Sequence, residues 1–253
     1  MAEQKNEKPV VKNKKKARQA LHVEAAPAPL RKYRAMLFQG TLLLAAGSFA
    51  VLTFLVKTMP SFAIDLQITQ FIQLINIPFF ALFMSLISWP GFLPQSVIIT
   101  ALTILLIYRL GLQWESLMVL FAVTFSTGVN VLVKDLIQRP RPTVGLVNVI
   151  STLTSYSFPS GHVMFYLGFF GFVAFLVFSL LKPSPKRNLL LVILCSLIIL
   201  IGPSRIFLGQ HWASDVLGAY LLGSLTLAVI VKFYRWGKTR FFVHQPVISP
   251  VSK

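Results

Sequence analysis

Ser204-Arg205 is followed after five residues by His211, and after three more by Asp215. A histidine and an aspartate four positions apart share one face of a helix. The imidazole is a nucleophile or a base, and the carboxylate orients it. The guanidinium six residues upstream presents a planar fork to an anion. Strongly apolar stretches flank the group. Ionisable residues at the edge of a membrane span are costly, which marks them as functional. Together the three side chains suit nucleophilic attack on phosphorus.

Two further groups have the same character. Lys134 and Arg141 stand seven residues apart, two helical turns, and Pro140 and Pro142 end the helix that carries the lysine. Pro159-Ser160-Gly161-His162 opens the next apolar stretch. Ser160 is a natural N-cap, and Gly161 lets a phosphate approach the N–H groups of a helix N-terminus. His162 falls in that first turn. Each group alone also fits a plainer reading: a basic cluster at a membrane surface, a capping turn, a capping aspartate beside an interfacial histidine. Between the signature cations, Asp135 is expected to pair with a neighbouring cation. Arg139 extends the anion site toward a second phosphate or is a solvated interfacial arginine.

These residues need elements to hold them. The chain has 253 residues, 55% of them hydrophobic, with mean hydropathy +0.73. A span of about 20 residues crosses a hydrocarbon core. Such stretches occur at about 35–56, 92–110, 117–138, 161–181, 188–206 and 211–232. Segments 62–75 and 78–90 are apolar but broken by Pro78 and by Trp89-Pro90-Gly91, and read as interfacial or re-entrant helices. The expectation is an all-α polytopic membrane protein. It has six transmembrane helices, interfacial helices between the first two spans, and a catalytic bundle formed by the last four. A strand on its own would leave its backbone unsatisfied in lipid. The single cysteine, Cys195, excludes an intrachain disulfide.

Residues 1–34 carry ten Lys and Arg and an Ala-Pro stretch, and read as a disordered basic cytoplasmic tail. Residues 35–232 form the membrane domain, with its motifs in 134–215, and residues 233–253 form a basic cytoplasmic C-terminal tail. The net charge of +17 is distributed by side and does not form a nucleic-acid-binding face. Under six spans with the N-terminus inside, Lys57, Lys134, Arg139, Arg141 and Arg205 are the only five of the 24 Lys and Arg on the far side. The tails therefore orient the chain and contact anionic lipid. All three motifs fall on the other face, at span ends, where four of those five cations cluster. Binding an anion there accounts for them.

Taken in order, Lys134-x6-Arg141-Pro142, Pro159-Ser160-Gly161-His162 and Ser204-Arg205-x5-His211-x3-Asp215 resemble the three-part signature of the type-2 phosphatidic acid phosphatase superfamily. That superfamily includes soluble acid phosphatases and vanadium haloperoxidases. The resemblance covers roughly residues 62–232 and departs only at Ala219, where many relatives have a second glycine after Gly218. It implies that His211 is the nucleophile and forms a phosphohistidine, with Asp215 fixing its tautomer and His162 acting as general acid. Lys134, Ser160, Gly161, Arg141 and Arg205 would bind the phosphate oxygens. No cofactor and no metal are expected. The implied substrate is a phosphorylated lipid: undecaprenyl diphosphate, phosphatidylglycerol phosphate or phosphatidic acid. The alternatives are a phosphotransferase using the same intermediate, or a non-catalytic lipid-binding or transport protein. Oligomeric state is not legible.

Overall fold

The computed structural model describes residues 28–59, 62–75, 77–150 and 153–242. Most of the basic tail expected over 1–34, and the C-terminal residues after 242, lie outside them. The chain divides into two compact units, Met1–Leu44 and Ala45–Lys253. Among the described residues there is no strand.

The first helix, α1 (Ala28–Thr58), begins ahead of the expected residue 35. Pro29 sits in its first turn, where a proline has no hydrogen bond to lose. Two 11-residue helices follow, α2 (Ala63–Gln73) and α3 (Pro78–Ser88). They are bent by 120° to each other, the interfacial or re-entrant pair expected of segments 62–75 and 78–90. A 3-10 turn, Trp89–Gly91, leads to α4 (Gln95–Arg109). Then come α5 (Gln113–Ile137), α6 (Gly161–Leu180), α7 (Pro185–Phe207) and α8 (Ala213–Gly237). A π-helical segment, Leu167–Gly171, lies inside α6, and a second, Lys238–Phe242, follows α8.

Among the described residues five helices, α1 and α5 to α8, are long and apolar enough to cross a membrane, and the bent pair of α2 and α3 makes six if it forms one broken span. At 15 residues, α4 reaches only about 22 Å, so the span expected over 92–110 is a shorter helix. Pro94 precedes it, and Gly111, at φ +79°, turns the chain after it. Large apolar side chains cover the outside of these helices, among them Leu43, Phe54, Leu102, Leu132 and Ile199. An aqueous surface would not carry so many.

The core joins α5, α6, α7 and α8, the last four expected spans, with Ile87 of α3 packed against them. The centre is α6: 61% of its apolar stretch is buried, against 33% for each of α5, α7 and α8. Val163, Met164, Tyr166 and Phe172 of α6 are fully enclosed. The four helices alternate in direction, so the C-terminal ends of α5 and α7 and the N-terminal ends of α6 and α8 meet. Lys57, near the end of α1, donates to the Leu136 and Ile137 carbonyls at 2.9 and 3.4 Å, so it caps α5 at this same end.

Candidate functional site

Gln138 ends α5 in a left-handed conformation, φ 58°, with its N–H on the Lys134 carbonyl at 2.8 Å. Pro140 and Pro142 then keep the chain extended. Lys134 and Arg141 do not share a helical face, as their two-turn spacing suggested, because Arg141 lies beyond the helix. They still meet, at the Tyr156 carbonyl: Lys134 Nζ donates to it, and so does Arg141 Nη2, at 3.2 Å. Arg141 also donates to the Ser155 carbonyl at 2.6 Å, the Ser155 hydroxyl at 3.0 Å and the Gln210 carbonyl at 2.5 Å. Burial lowers its pKa from the ordinary arginine value.

Ser160 occupies the N-cap position of α6, but its hydroxyl makes no capping bond. That Oγ is buried without a protein partner among the described residues. Its backbone N–H donates to the Asp215 carbonyl at 3.2 Å, joining the second motif to the third. Asn130, one turn before Lys134, donates to the Pro159 carbonyl at 3.0 Å and fixes the same corner. Phe158 lies over Gly218 of α8, where a Cβ would overlap its ring.

His162 stands in the first turn of α6, its ring edge-on to Phe92 at 4.6 Å. Gly91 approaches so closely that a Cβ there would overlap the imidazole. The Arg205 guanidinium lies over the same Phe92 ring at 5.1 Å and donates to Ser88 Oγ at 3.1 Å. Ser204 holds Ser88 from below at 2.6 Å. The Ser88–Phe92 corner thus sets both His162 and Arg205. Nε2 of His162 and both Nε and Nη2 of Arg205 are buried without partners among the described residues. With Ser160 Oγ, four such atoms belong to three of the residues singled out by spacing. Buried polar groups are nearly always paired, so this cluster fits a ligand that accepts hydrogen bonds.

His211 is fully buried in the turn between α7 and α8. Its Nδ1 lies 3.5 Å from Asp215 Oδ2 and 3.5 Å from Ser157 Oγ. Its Nε2 faces Arg141 Nη1 at 3.3 Å. A guanidinium has no lone pair to offer, so Nε2 is the acceptor and Nδ1 carries the proton. The Nε2 lone pair therefore turns toward the cations. Burial first, then Arg141, Lys134 and Arg205, hold the imidazole neutral, its pKa well below the ordinary histidine value.

Asp215 is buried at the third position of α8 and accepts from the Trp212 N–H at 2.9 Å and from the Ser157 hydroxyl, both through Oδ2. Capping the helix and addressing His211 are thus done by one oxygen. Its Oδ1 accepts from Arg139 Nη1 at 2.5 Å. Arg139 is fully buried, and its other arm donates to Asp65 of α2 at 2.8 Å. It is neither solvated nor turned to a second phosphate. Asp135 is exposed and makes no ion pair among the described residues.

Asp65 and Ser157 were not singled out by spacing. Asp65 sits 150 positions from Asp215, and no local pattern reports such a contact. For Asp65 the one signal was an acid inside an apolar segment, which is costly unless paired. Among the described residues no group of three His, Cys, Asp or Glu is placed to hold a metal ion.

The PAP2 superfamily profile matches residues 115–238. Phosphatidylglycerophosphatase B of Bacillus subtilis (strain 168) is 34% identical over 122 residues, 47% of this chain and 58% of that protein. Human dolichyldiphosphatase 1 is 28% identical over 149 residues, 55% of this chain and 60% of the relative. The chain thus spans less than two thirds of the length of either relative. The crystal structure of a transmembrane PAP2-type phosphatidylglycerolphosphate phosphatase from Bacillus subtilis superposes with a TM-score of 0.69 at 26% identity, over 79% of this chain and 98% of that one. The three motifs meet at one end of the four-helix core, and all of them lie within residues 115–238, the stretch that matches the PAP2 superfamily profile.

Proposed function

We propose that the chain is a membrane lipid phosphatase that hydrolyses a phosphate ester through a phosphohistidine on His211. The observation that carries this reading is the set of unpaired buried donors on Ser160, His162 and Arg205, beside a histidine whose Nε2 lone pair is free of its own proton. In the first step Nε2 attacks phosphorus. The bond to the lipid oxygen breaks, and His162, which takes up a proton when the phosphate anion is bound beside it, gives that proton to the leaving oxygen. Arg205, Ser160 and the Gly161 N–H take the non-bridging oxygens, with Arg141 and Lys134 beside them. Asp215 stabilises the positive charge on the phosphorylated ring. Water then attacks the phosphohistidine, losing its proton to His162, and free phosphate leaves.

A groove of about 450 Å³ between α4 and α5 supports a lipid substrate. Leu93, Val97, Ile104, Leu120 and Val123 line it, and Asn130 and Gly161 stand at the edge it shares with the site. It suits a hydrocarbon chain whose head group reaches His211. A monophosphate is preferred over a diphosphate, because the Arg139 guanidinium, the cation nearest in sequence for a second phosphate, is engaged by Asp65 and Asp215. Phosphatidylglycerol phosphate and phosphatidic acid therefore rank ahead of undecaprenyl diphosphate. Charge by side supports a cell-membrane enzyme with cytoplasmic termini and an extracytoplasmic site.

The test is phosphate release by the detergent-purified protein from these three lipids, each with and without EDTA. Release without loss in EDTA, fastest with the monophosphates, is expected. Activity that EDTA abolishes and divalent metal restores would overturn the metal-free mechanism. No release from any lipid by folded protein would favour phosphotransfer or lipid binding.

Gly91 gives a second check. In Gly91→Ala the added methyl displaces the His162 ring. Misplacing a reacting group by about 1 Å costs on the order of 10²-fold. Lipid phosphate hydrolysis should fall by roughly that factor, with thermal unfolding little changed. Wild-type kcat in this variant would show that His162 does not need its present position.

A further inference from the structure

Three charged side chains, Asp65, Arg139 and Asp215, form a continuous buried chain from α2 to the nucleophile, and each is no more than 1% exposed. The Asp65 carboxylate accepts three hydrogen bonds. Its Oδ1 takes the Ser214 N–H at 2.8 Å, and its Oδ2 takes the Ser214 hydroxyl at 2.5 Å and Arg139 Nη2 at 2.8 Å. Arg139 Nη1 in turn donates to Ser214 Oγ at 2.7 Å and to Asp215 Oδ1 at 2.5 Å. Ser214 directly precedes Asp215 in the first turn of α8. Asp65 therefore acts on Asp215 by two routes, through the backbone beside it and through the guanidinium bound to it.

The division of Arg139 matters. A guanidinium beside a lone carboxylate prefers to bind both oxygens. Here one arm is held by Asp65, and Asp215 receives only the other, on Oδ1. Its Oδ2 stays turned to Trp212, Ser157 and His211. We propose that Asp65 is a positioning residue of the hydrolysis: by holding Ser214 and one arm of Arg139, it keeps the Asp215 carboxylate aimed at His211 Nδ1. The α2 segment thereby becomes part of the reaction's machinery as well as a cover for the bundle. This inference rests on His211 being the nucleophile.

The experiment measures kcat and KM for phosphatidic acid across pH in wild type, Asp65→Asn, Ser214→Ala and His211→Ala, with thermal unfolding of each. Asp65→Asn keeps the size and one acceptor but removes the charge. Its kcat should fall by about 10- to 100-fold with KM within about threefold. The groups facing His211 are Lys134, Arg141, His162, Arg205 and Asp215. Removing one anion from behind them lowers the histidine's proton affinity, so the acid limb moves to lower pH. Ser214→Ala leaves all charges in place. Its kcat should fall several-fold with the limb unmoved, and it carries the test if Asp65→Asn does not fold. Wild-type kcat and pH profile in folded Asp65→Asn, or a loss confined to KM, would overturn the inference. So would wild-type kcat in Ser214→Ala if only that variant folds. Turnover that survives His211→Ala would instead sink the phosphohistidine reading, which separates the two failures.

Discussion

His211→Ala should release no phosphate above background from any lipid phosphate, a loss of at least about 10⁴-fold. Removing the nucleophile of a comparable triad leaves only binding and charge stabilisation, and effects of that size follow. No neighbour can take its place. Ser157 Oγ is engaged with the Asp215 carboxylate, and His162 is held against Phe92 and Gly91 on the other side of the site. Protein labelled from a radioactive lipid phosphate and quenched in alkaline detergent should show an acid-labile, base-stable phosphoenzyme in wild type and none in the variant. Substantial residual turnover, or a label that persists, would mean that the nucleophile lies elsewhere. The pH profile adds a sign. As the proposed nucleophile His211 attacks only when neutral, and burial holds its pKa well below the ordinary histidine value. Its protonation therefore places the acid limb of kcat/KM for the free enzyme below about pH 6.5. A limb assigned to His211 above that value would contradict the desolvated, cation-flanked site.

His162→Asn should separate chemistry from binding. As the proposed general acid, His162 protonates the departing oxygen, a contribution of typically 10²- to 10⁴-fold when that oxygen belongs to an alcohol of high pKa. Phosphatidic acid is such a substrate, and kcat on it should fall within that range. An aryl phosphate such as p-nitrophenyl phosphate leaves as a weakly basic phenolate and needs no proton, so the phosphorylation step on it should be nearly intact. Equal losses in the phosphorylation step on both substrates would assign His162 to phosphate binding instead of proton transfer. The asparagine fills much of the imidazole's space against Gly91, so the Ser88–Phe92 corner and Arg205 should stay in place. Unchanged thermal unfolding would confirm that the loss is chemical.

The contrast between Lys134 and Arg139 shows where sequence reading ends. Lys134, Arg141, Ser160, Gly161, His162, Arg205, His211 and Asp215 stand out as candidates because they sit at the ends of long apolar stretches. Hydrophobic length, proline positions and spacings of three or four residues report local geometry. Alternating helix direction then brings those ends to one side. The all-α architecture and the broken 62–90 segment were legible for the same reason: lipid leaves the backbone few alternatives. The length of α4 was overestimated, because hydropathy does not see Pro94 and Gly111 turn the chain early.

Spacing misread Arg139, whose neighbours come from Asp65 in α2 and Asp215 in α8. The helix geometry offered for Lys134 and Arg141 was also replaced, by a shared bond to the Tyr156 carbonyl across an extended loop. Ser160 looked like a cap, yet its hydroxyl is unspent. The sequence by itself determined the membrane class, the helical bundle and which side chains are candidates for the chemistry, since these follow from local periodicity and the cost of charge in lipid. Only the tertiary structure decided which cation faces His211, which tautomer that histidine adopts and that Asp65 stands behind Asp215. Those are contacts between segments far apart in the chain, set by side-chain packing and hydrogen-bond pairing in a buried space.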